Sequence, residues 1–200
     1  LNRRKYPNVN LYNDDILTWN IKQLPKKIKV IGNLPYYISS PILFKLLQVK
    51  NWTKLVLMFQ KEVAERIVSE PQKKSYGRLS IISQIYTNVN IEFNVPRTVF
   101  KPVPDVNSSV LTFKPSIQKL PNILLFSNFI KQAFSQRRKM LKNNLPDIYN
   151  KGLLNNYSNL RPEDLSPEDY IKLFYRIWFV FVLFIALNYK DIFLINFRGE

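Results

Sequence analysis

The chain is expected to be an α/β protein, a sheet-bearing unit with parallel strands followed by a smaller helical unit. Three observations carry this expectation. Short apolar runs alternate with segments of helical spacing through the first half of the chain. One run, Lys54-Leu55-Val56-Leu57-Met58-Phe59, is apolar on both faces, as a strand inside a parallel sheet must be. Beyond Pro115 the pattern turns helical, and Pro115 and Pro121 bracket a polar linker. The division that follows is a catalytic-type unit over 1–115, a helical unit over 121–176 and an apolar tail over 177–200.

Each element has its own signal. Val9 to Tyr12 reads as a short strand entering the acidic turn Asn13-Asp14-Asp15. Lys29 to Gly32 is the next strand, and Pro41 to Leu47 a helix with proline in its first turn. After Lys54 to Phe59 come a helix over Lys61 to Val68, an exposed loop from Pro71 to Ser75, and a helix over Leu79 to Tyr86. Asn90 to Val95 and Ser108 to Phe113 are late strands, joined through the proline-rich Pro96 to Pro104. Helices are expected over Ile123 to Gln136, Met140 to Leu145 and Pro167 to Phe174. The last opens on Ser166-Pro167-Glu168-Asp169, a cap, a first-turn proline and acids facing the positive end of the helix dipole. The run from Ile177 to Leu187 is too short to cross a bilayer, which needs about 20 residues. It reads as a buried or dimer-forming helix, or as sequence translated past a natural end.

Composition narrows the chemistry. Thirty Lys and Arg against 14 Asp and Glu leave a net charge of +16, which points to a polyanion, nucleic acid before membrane. The chain has no His and no Cys, so no histidine base, cysteine nucleophile, zinc site or disulfide framework can be drawn within it. Its glycines, Gly32, Gly77, Gly152 and Gly199, are too scattered for a phosphate-cradling loop.

The most informative stretch is Asn33-Leu34-Pro35-Tyr36-Tyr37, directly after a strand. An exocyclic amine on a nucleobase is a poor nucleophile, because its lone pair is delocalised into the ring. A site that methylates it must extrude the base, hold its face and accept hydrogen bonds from the amine. The Asn33 side-chain carbonyl, the Leu34 backbone carbonyl ahead of Pro35, and the Tyr36 ring can do these things within four residues. The alternative is a strand-ending turn that buries an aromatic. Asp14 and Asp15 end the preceding strand, where a carboxylate can take a hydrogen bond from a cofactor's amine, or simply form a solvated turn. Phe100, beside Lys101 in a loop stiffened by Pro102 and Pro104, can stack on an extruded base next to a phosphate contact, or cap the core. Arg137, Arg138 and Lys139, with Lys131 and Lys142, form a phosphate-binding surface or a solvated helix face. Lys73-Lys74 and Arg3-Arg4-Lys5 are weaker clusters of the same kind.

In order along the chain, these segments resemble the KsgA-type rRNA adenine dimethyltransferases. The stretches that carry the resemblance are Val30 to Ser39, Phe59 to Arg66, Tyr76 to Ser80, Phe100 to Val110, Ala133 to Lys139 and Leu160 to Ser166, covering roughly residues 8 to 176. The resemblance implies a Rossmann-like, S-adenosylmethionine-dependent methyltransferase domain, here lacking its first strands, followed by a small helical domain. It implies two successive methyl transfers to adenines of a small-subunit rRNA hairpin. By position, Asn33 and Leu34 would accept from the target amine, Pro35 would shape the loop, and Tyr36 and Phe100 would hold the base. Asp15 and Ile16, with Asn33, would line the cofactor site, and Lys101, Arg137, Arg138 and Lys139 would contact RNA. The implied partner is a precursor of the small ribosomal subunit, met by a monomer without metal or membrane. The compartment is the bacterial cytoplasm, or an organelle.

Two departures stand beside the resemblance. The family's upstream glycine-rich loop and ribose-binding acid fall before Leu1, so this piece alone is expected to bind S-adenosylmethionine feebly. The tail from about Trp178 lies past the family's usual end. Three alternatives remain: a non-catalytic assembly or transcription factor on the same fold, a large-subunit macrolide-resistance methyltransferase, and a DNA adenine methyltransferase.

Overall fold

The structure, a computed structural model, describes residues 8–49, 51–117, 120–146 and 152–188. Four strands, β1 (Ile28–Asn33), β2 (Trp52–Gln60), β3 (Thr87–Val95) and β4 (Ser108–Pro115), form one sheet in the order β1-β2-β4-β3. β1 and β2 are parallel, but β4 runs antiparallel to both β2 and β3. The sheet is therefore mixed, which corrects the wholly parallel sheet expected above. β4 is buried on both faces through Leu111, Thr112 and Phe113, whereas β2 buries Leu55, Leu57 and Phe59 on one face and leaves Val56 and Met58 half-buried on the other. Burial on both faces gives the same apolar composition whichever way a central strand runs, so composition does not encode direction. The hydroxyls that β4 buries are matched: Thr112 Oγ1 donates to Glu92 at 2.5 Å and Ser109 Oγ to Asn94 at 2.7 Å.

Among the described residues there are five α-helices: α1 (Ser39–Leu47), α2 (Lys61–Ile67), α3 (Arg78–Tyr86), α4 (Ile123–Ala133) and α5 (Pro167–Asn188), of which α2 and α3 pack on the sheet and α4 and α5 pack on α3. Val9 to Tyr12 is not a strand. No strand among the described residues pairs with it, and Tyr12 instead lays its ring against Trp19 at 5.5 Å. Apolar alternation makes a strand only where a neighbour supplies the ladder.

α4 opens on Asn122, whose side chain accepts from the backbone of Leu124 and Leu125, and buries Phe126, Phe129, Ile130 and Ala133 at helical spacing. It ends short of the expected Gln136. Asn144 Nδ2 donates to the carbonyls of Ala133 and Gln136 and closes the terminus. Met140 to Leu145 is accordingly no α-helix but a 3-10 turn at Leu141–Asn143, its backbone tied to Leu160 and Ser158. α5 begins as expected: the Ser166 backbone N–H donates to Asp169 Oδ2, and the Asp169 N–H donates to Ser166 Oγ. It then continues through the apolar run, with Ile177 buried and Phe179 65% exposed. No helix of the described residues is long and apolar enough to cross a membrane.

Sheet and terminal helices share one apolar core. Phe126 meets Tyr86 on one side and Phe174 on the other, in edge-to-face contacts at 6.2 and 5.3 Å. Buried tyrosines join the two halves by hydrogen bonds. Tyr76 donates to the Leu165 carbonyl at 2.9 Å and Tyr86 to the Pro121 carbonyl at 2.8 Å. Burial, with Glu168 and Asp169 nearby, holds the Tyr76 hydroxyl far above its ordinary range, so it stays a donor.

Candidate active site

β1 and β2 run parallel with Asn33 opposite Met58, so their carboxyl ends lie side by side. β4, running the other way, begins at that same edge with Ser108 opposite Gln60. One edge of the sheet therefore gathers the Asn33 loop, the end of β2 and the 96–107 loop that carries Phe100. In open α/β sheets ligands bind at the carboxyl ends of the strands.

Gly32 sets the Asn33 loop. A Cβ there would stand 2.9 Å from Leu34 Cδ2 and 3.1 Å from Leu57 Cδ2, and both leucines are buried. The missing side chain lets Leu34 tuck under the strand end, and the loop leaves Asn33 and Pro35 exposed. The chain then closes into a 3-10 turn, Tyr36–Ile38, in which Ile38 N–H donates to the Pro35 carbonyl and Ser39 Oγ to the Tyr36 carbonyl. Tyr36 and Tyr37 part company here. Tyr36 is half-buried, its hydroxyl 2.7 Å from Ser108 Oγ, whereas Tyr37 is 85% exposed.

Across the edge, Arg97–Val99 forms a 3-10 turn ending at Phe100, which is half-buried, with Lys101 exposed beside it. Asn107 anchors this loop: its Oδ1 accepts from Arg97 N–H and its carbonyl from Lys61 N–H, both at 2.9 Å. A cleft of about 490 Å³ next to it is lined by Gln60, Lys61, Glu62, Glu65, Arg97, Asp105, Val106 and Asn107. A larger cleft, about 730 Å³, lies between α2, α3 and Arg137. Asn33, Tyr36 and Phe100 line neither of these two clefts; Asn33 stands exposed on the shelf formed by the strand ends, with Tyr36 and Phe100 half-buried.

Asp15 is exposed, and its Oδ1 accepts from Leu17 N–H at 2.9 Å while its carbonyl holds Thr18 and Trp19. Ile16 is half-buried against the core. Lys45 on α1 donates to the Leu17 and Trp19 carbonyls and docks the Asp15 turn against the helix that follows Tyr36. The second carboxylate oxygen of Asp15 could accept a hydrogen bond from a ligand amine.

The basic cluster divides. Arg137 donates through Nε to Glu163 at 2.5 Å and through its other nitrogens to the Lys74 and Lys73 carbonyls, while Gln72 N–H donates to the Glu163 carbonyl. This guanidinium is a tie between the 71–75 loop and the terminal helices, a role the sequence reading did not give it. Arg138 and Lys139, its neighbours, are exposed. Arg3-Arg4-Lys5 lies outside the described residues.

Sequence reasoning also passed over Ser108, Asn107 and Lys45. Ser108 carried a signal: a serine opening a strand buried on both faces needs a partner for its hydroxyl.

A mixed sheet whose strand ends gather the Asn33 loop, Tyr36 and Phe100 places the chain in the class of Rossmann-like methyltransferases. The solved structures agree. A dimethyladenosine transferase from Plasmodium falciparum superposes with a TM-score of 0.75 at 28% identity, over 86% of this chain and 74% of its own. The 23S rRNA methyltransferase ErmE shares the fold at a TM-score of 0.60 and 20% identity, over 88% and 74%. The family described as Ribosomal RNA adenine dimethylase matches residues 1–178. Ribosomal RNA small subunit methyltransferase A of Francisella tularensis subsp. novicida is 45% identical over 86% of this chain and 70% of its own length. The chain belongs to the ribosomal RNA adenine dimethylase family, enzymes that use S-adenosylmethionine.

Proposed function

We propose that the protein transfers two methyl groups in succession to the exocyclic amine of adenines in a small-subunit rRNA hairpin. The observation that carries this is the Asn33 loop at the end of β1, with Tyr36 tied to the strand that opens beside the Phe100 loop. Asn33 Oδ1 and the Leu34 carbonyl accept hydrogen bonds from the target amine, which turns its lone pair toward the donor. Tyr36 and Phe100 bracket the base, and Pro35, with no N–H, follows the Leu34 carbonyl without adding a donor that would compete for it. Bound S-adenosylmethionine supplies a sulfonium-activated methyl group; Asp15 and Ile16 hold its adenine end. No strong base is required, because the methylated amine is cationic and loses its proton readily, so positioning and charge carry the catalysis. Lys101, Arg138 and Lys139 contact the phosphate backbone and set the docking of RNA. The partner is a precursor of the small subunit, met by a monomer in the cytoplasm, and the units over 1–115 and 121–176 divide chemistry from RNA docking.

The test is methyl incorporation into undermethylated small subunits by the full natural chain and by its Asn33→Ala variant. Loss of transfer with subunit binding retained is expected. Equal transfer by the two would end the role given to Asn33, and subunit binding without transfer by either would favour an assembly factor that kept the fold without the chemistry.

A further inference from the structure

We infer that Ser108 is a positioning residue for this reaction, holding the Tyr36 ring at the strand end where it receives the base; the inference rests on the reading of Tyr36 as a stacking ring. A tyrosine on a strand-end turn has several staggered orientations open to it. A stacking platform works only when one of them is fixed before the base arrives, so that orientation is not lost entropy at the moment of capture.

The restraint sits at the far end of the ring. Tyr36 Oη and Ser108 Oγ are 2.7 Å apart, across 72 residues of sequence. The hydroxyl lies on the long axis of the ring, so a bond there fixes the direction of that axis, and with it the first side-chain torsion, more firmly than a contact near Cβ would. Ser108 is itself immobile. It has no solvent exposure, and its backbone is registered against Gln60 of β2 and Val95 of β3 together. Its neighbour Asn107 is bonded from both sides, to Lys61 at the start of α2 and to Arg97 at the start of the turn that delivers Phe100. One dipeptide at the head of β4 thus anchors both proposed walls, Tyr36 through a side chain and the Phe100 turn through the backbone. Tyr37 lacks any comparable restraint and stands in solvent.

The experiment uses a small-subunit rRNA hairpin with 2-aminopurine in place of a loop adenine, titrated with the chain. Emission reports capture of the base, anisotropy reports hairpin affinity, and thermal melting reports stability. Tyr36→Phe keeps the ring and removes only the hydroxyl, so it remains informative even if Ser108→Ala, at a buried site, folds poorly. Each change is expected to lower base capture roughly fivefold, the scale of one net hydrogen bond, with hairpin affinity within about twofold of the parent. The double variant is expected to match either single one, because both remove the same bond. Factors that multiply in the double variant, or capture by Tyr36→Phe equal to that of the parent, would overturn the assignment. Asn33→Ala separates the two levels. Capture that depends on Asn33 but ignores Ser108 and the Tyr36 hydroxyl defeats the positioning role alone. Capture indifferent to Asn33 as well defeats the base-clamp reading and takes the positioning role with it.

Discussion

The strand-end shelf around Asn33 and the joint between the sheet and the terminal helices use polar side chains in opposite ways. At the shelf, Asn33 and Lys101 are exposed, and the residues beneath them, Tyr36, Ser108 and Asn107, are bonded within the protein. At the joint, Arg137, Tyr76 and Tyr86 hand their donors to protein acceptors. A site for a ligand keeps hydrogen-bonding capacity outward; a joint consumes it. Arg137 and Arg138 put the contrast into adjacent residues, one facing the joint and one facing solvent.

The largest effect expected on the shelf side is on turnover. Asn33→Ala should slow methyl transfer by about 100-fold or more, the scale of losing a preorganised polar contact to the reacting group. Because Asn33 is exposed, its melting temperature should stay put, and a fall in stability would blur the contrast. On the joint side the largest effect is on folding. Phe126→Ala removes a fully buried ring packed between Tyr86 and Phe174 and should cost about 3–5 kcal/mol in urea denaturation.

The adjacent arginines divide the two roles more finely. Arg137→Ala should destabilise the fold by about 1–2 kcal/mol, a moderate figure because the ion pair with Glu163 is partly exposed. Replacing Arg138 and Lys139 together should leave stability within about 0.5 kcal/mol. It should instead weaken RNA binding and flatten its dependence on salt by about one to two counterions. If Arg137→Ala alone flattened the salt dependence while stability held, the division would be wrong.

The smallest effect concerns pH. Burial pushes the Asp169 carboxyl up, but hydrogen bonds from the Ser166 side chain and backbone and from Tyr157, together with Lys172, more than offset it and hold it below its ordinary value. Its contribution to stability is complete above the unfolded carboxylate range and is lost as pH falls through the lowered folded value. Asp169→Asn should therefore reduce stability at neutral pH and shrink the difference from the parent on acidification, read from melts across an acid series.

The elements with a strong local cause were legible in the sequence. The caps at Asn122 and Ser166 sit where capping chemistry puts helix starts, although only the second was read that way. β2 announced itself by an unbroken apolar run. What failed did so for non-local reasons: Val9 to Tyr12 found no partner strand among the described residues, α4 was cut short by Asn144, and the direction of β4 depended on how the chain returned. At the proposed site, the Asn33 loop drew notice because its residues are contiguous and directly follow a strand. Ser108 was not, since its meaning comes from Tyr36, 72 residues away.

The sequence by itself determined the family and the basic character of the chain, because each is written in contiguous residues or in composition. Only the tertiary structure decided which cations stay exposed and what holds the Tyr36 hydroxyl. Those depend on which acceptors the fold brings within hydrogen-bonding distance, and that proximity is a property of the packed chain.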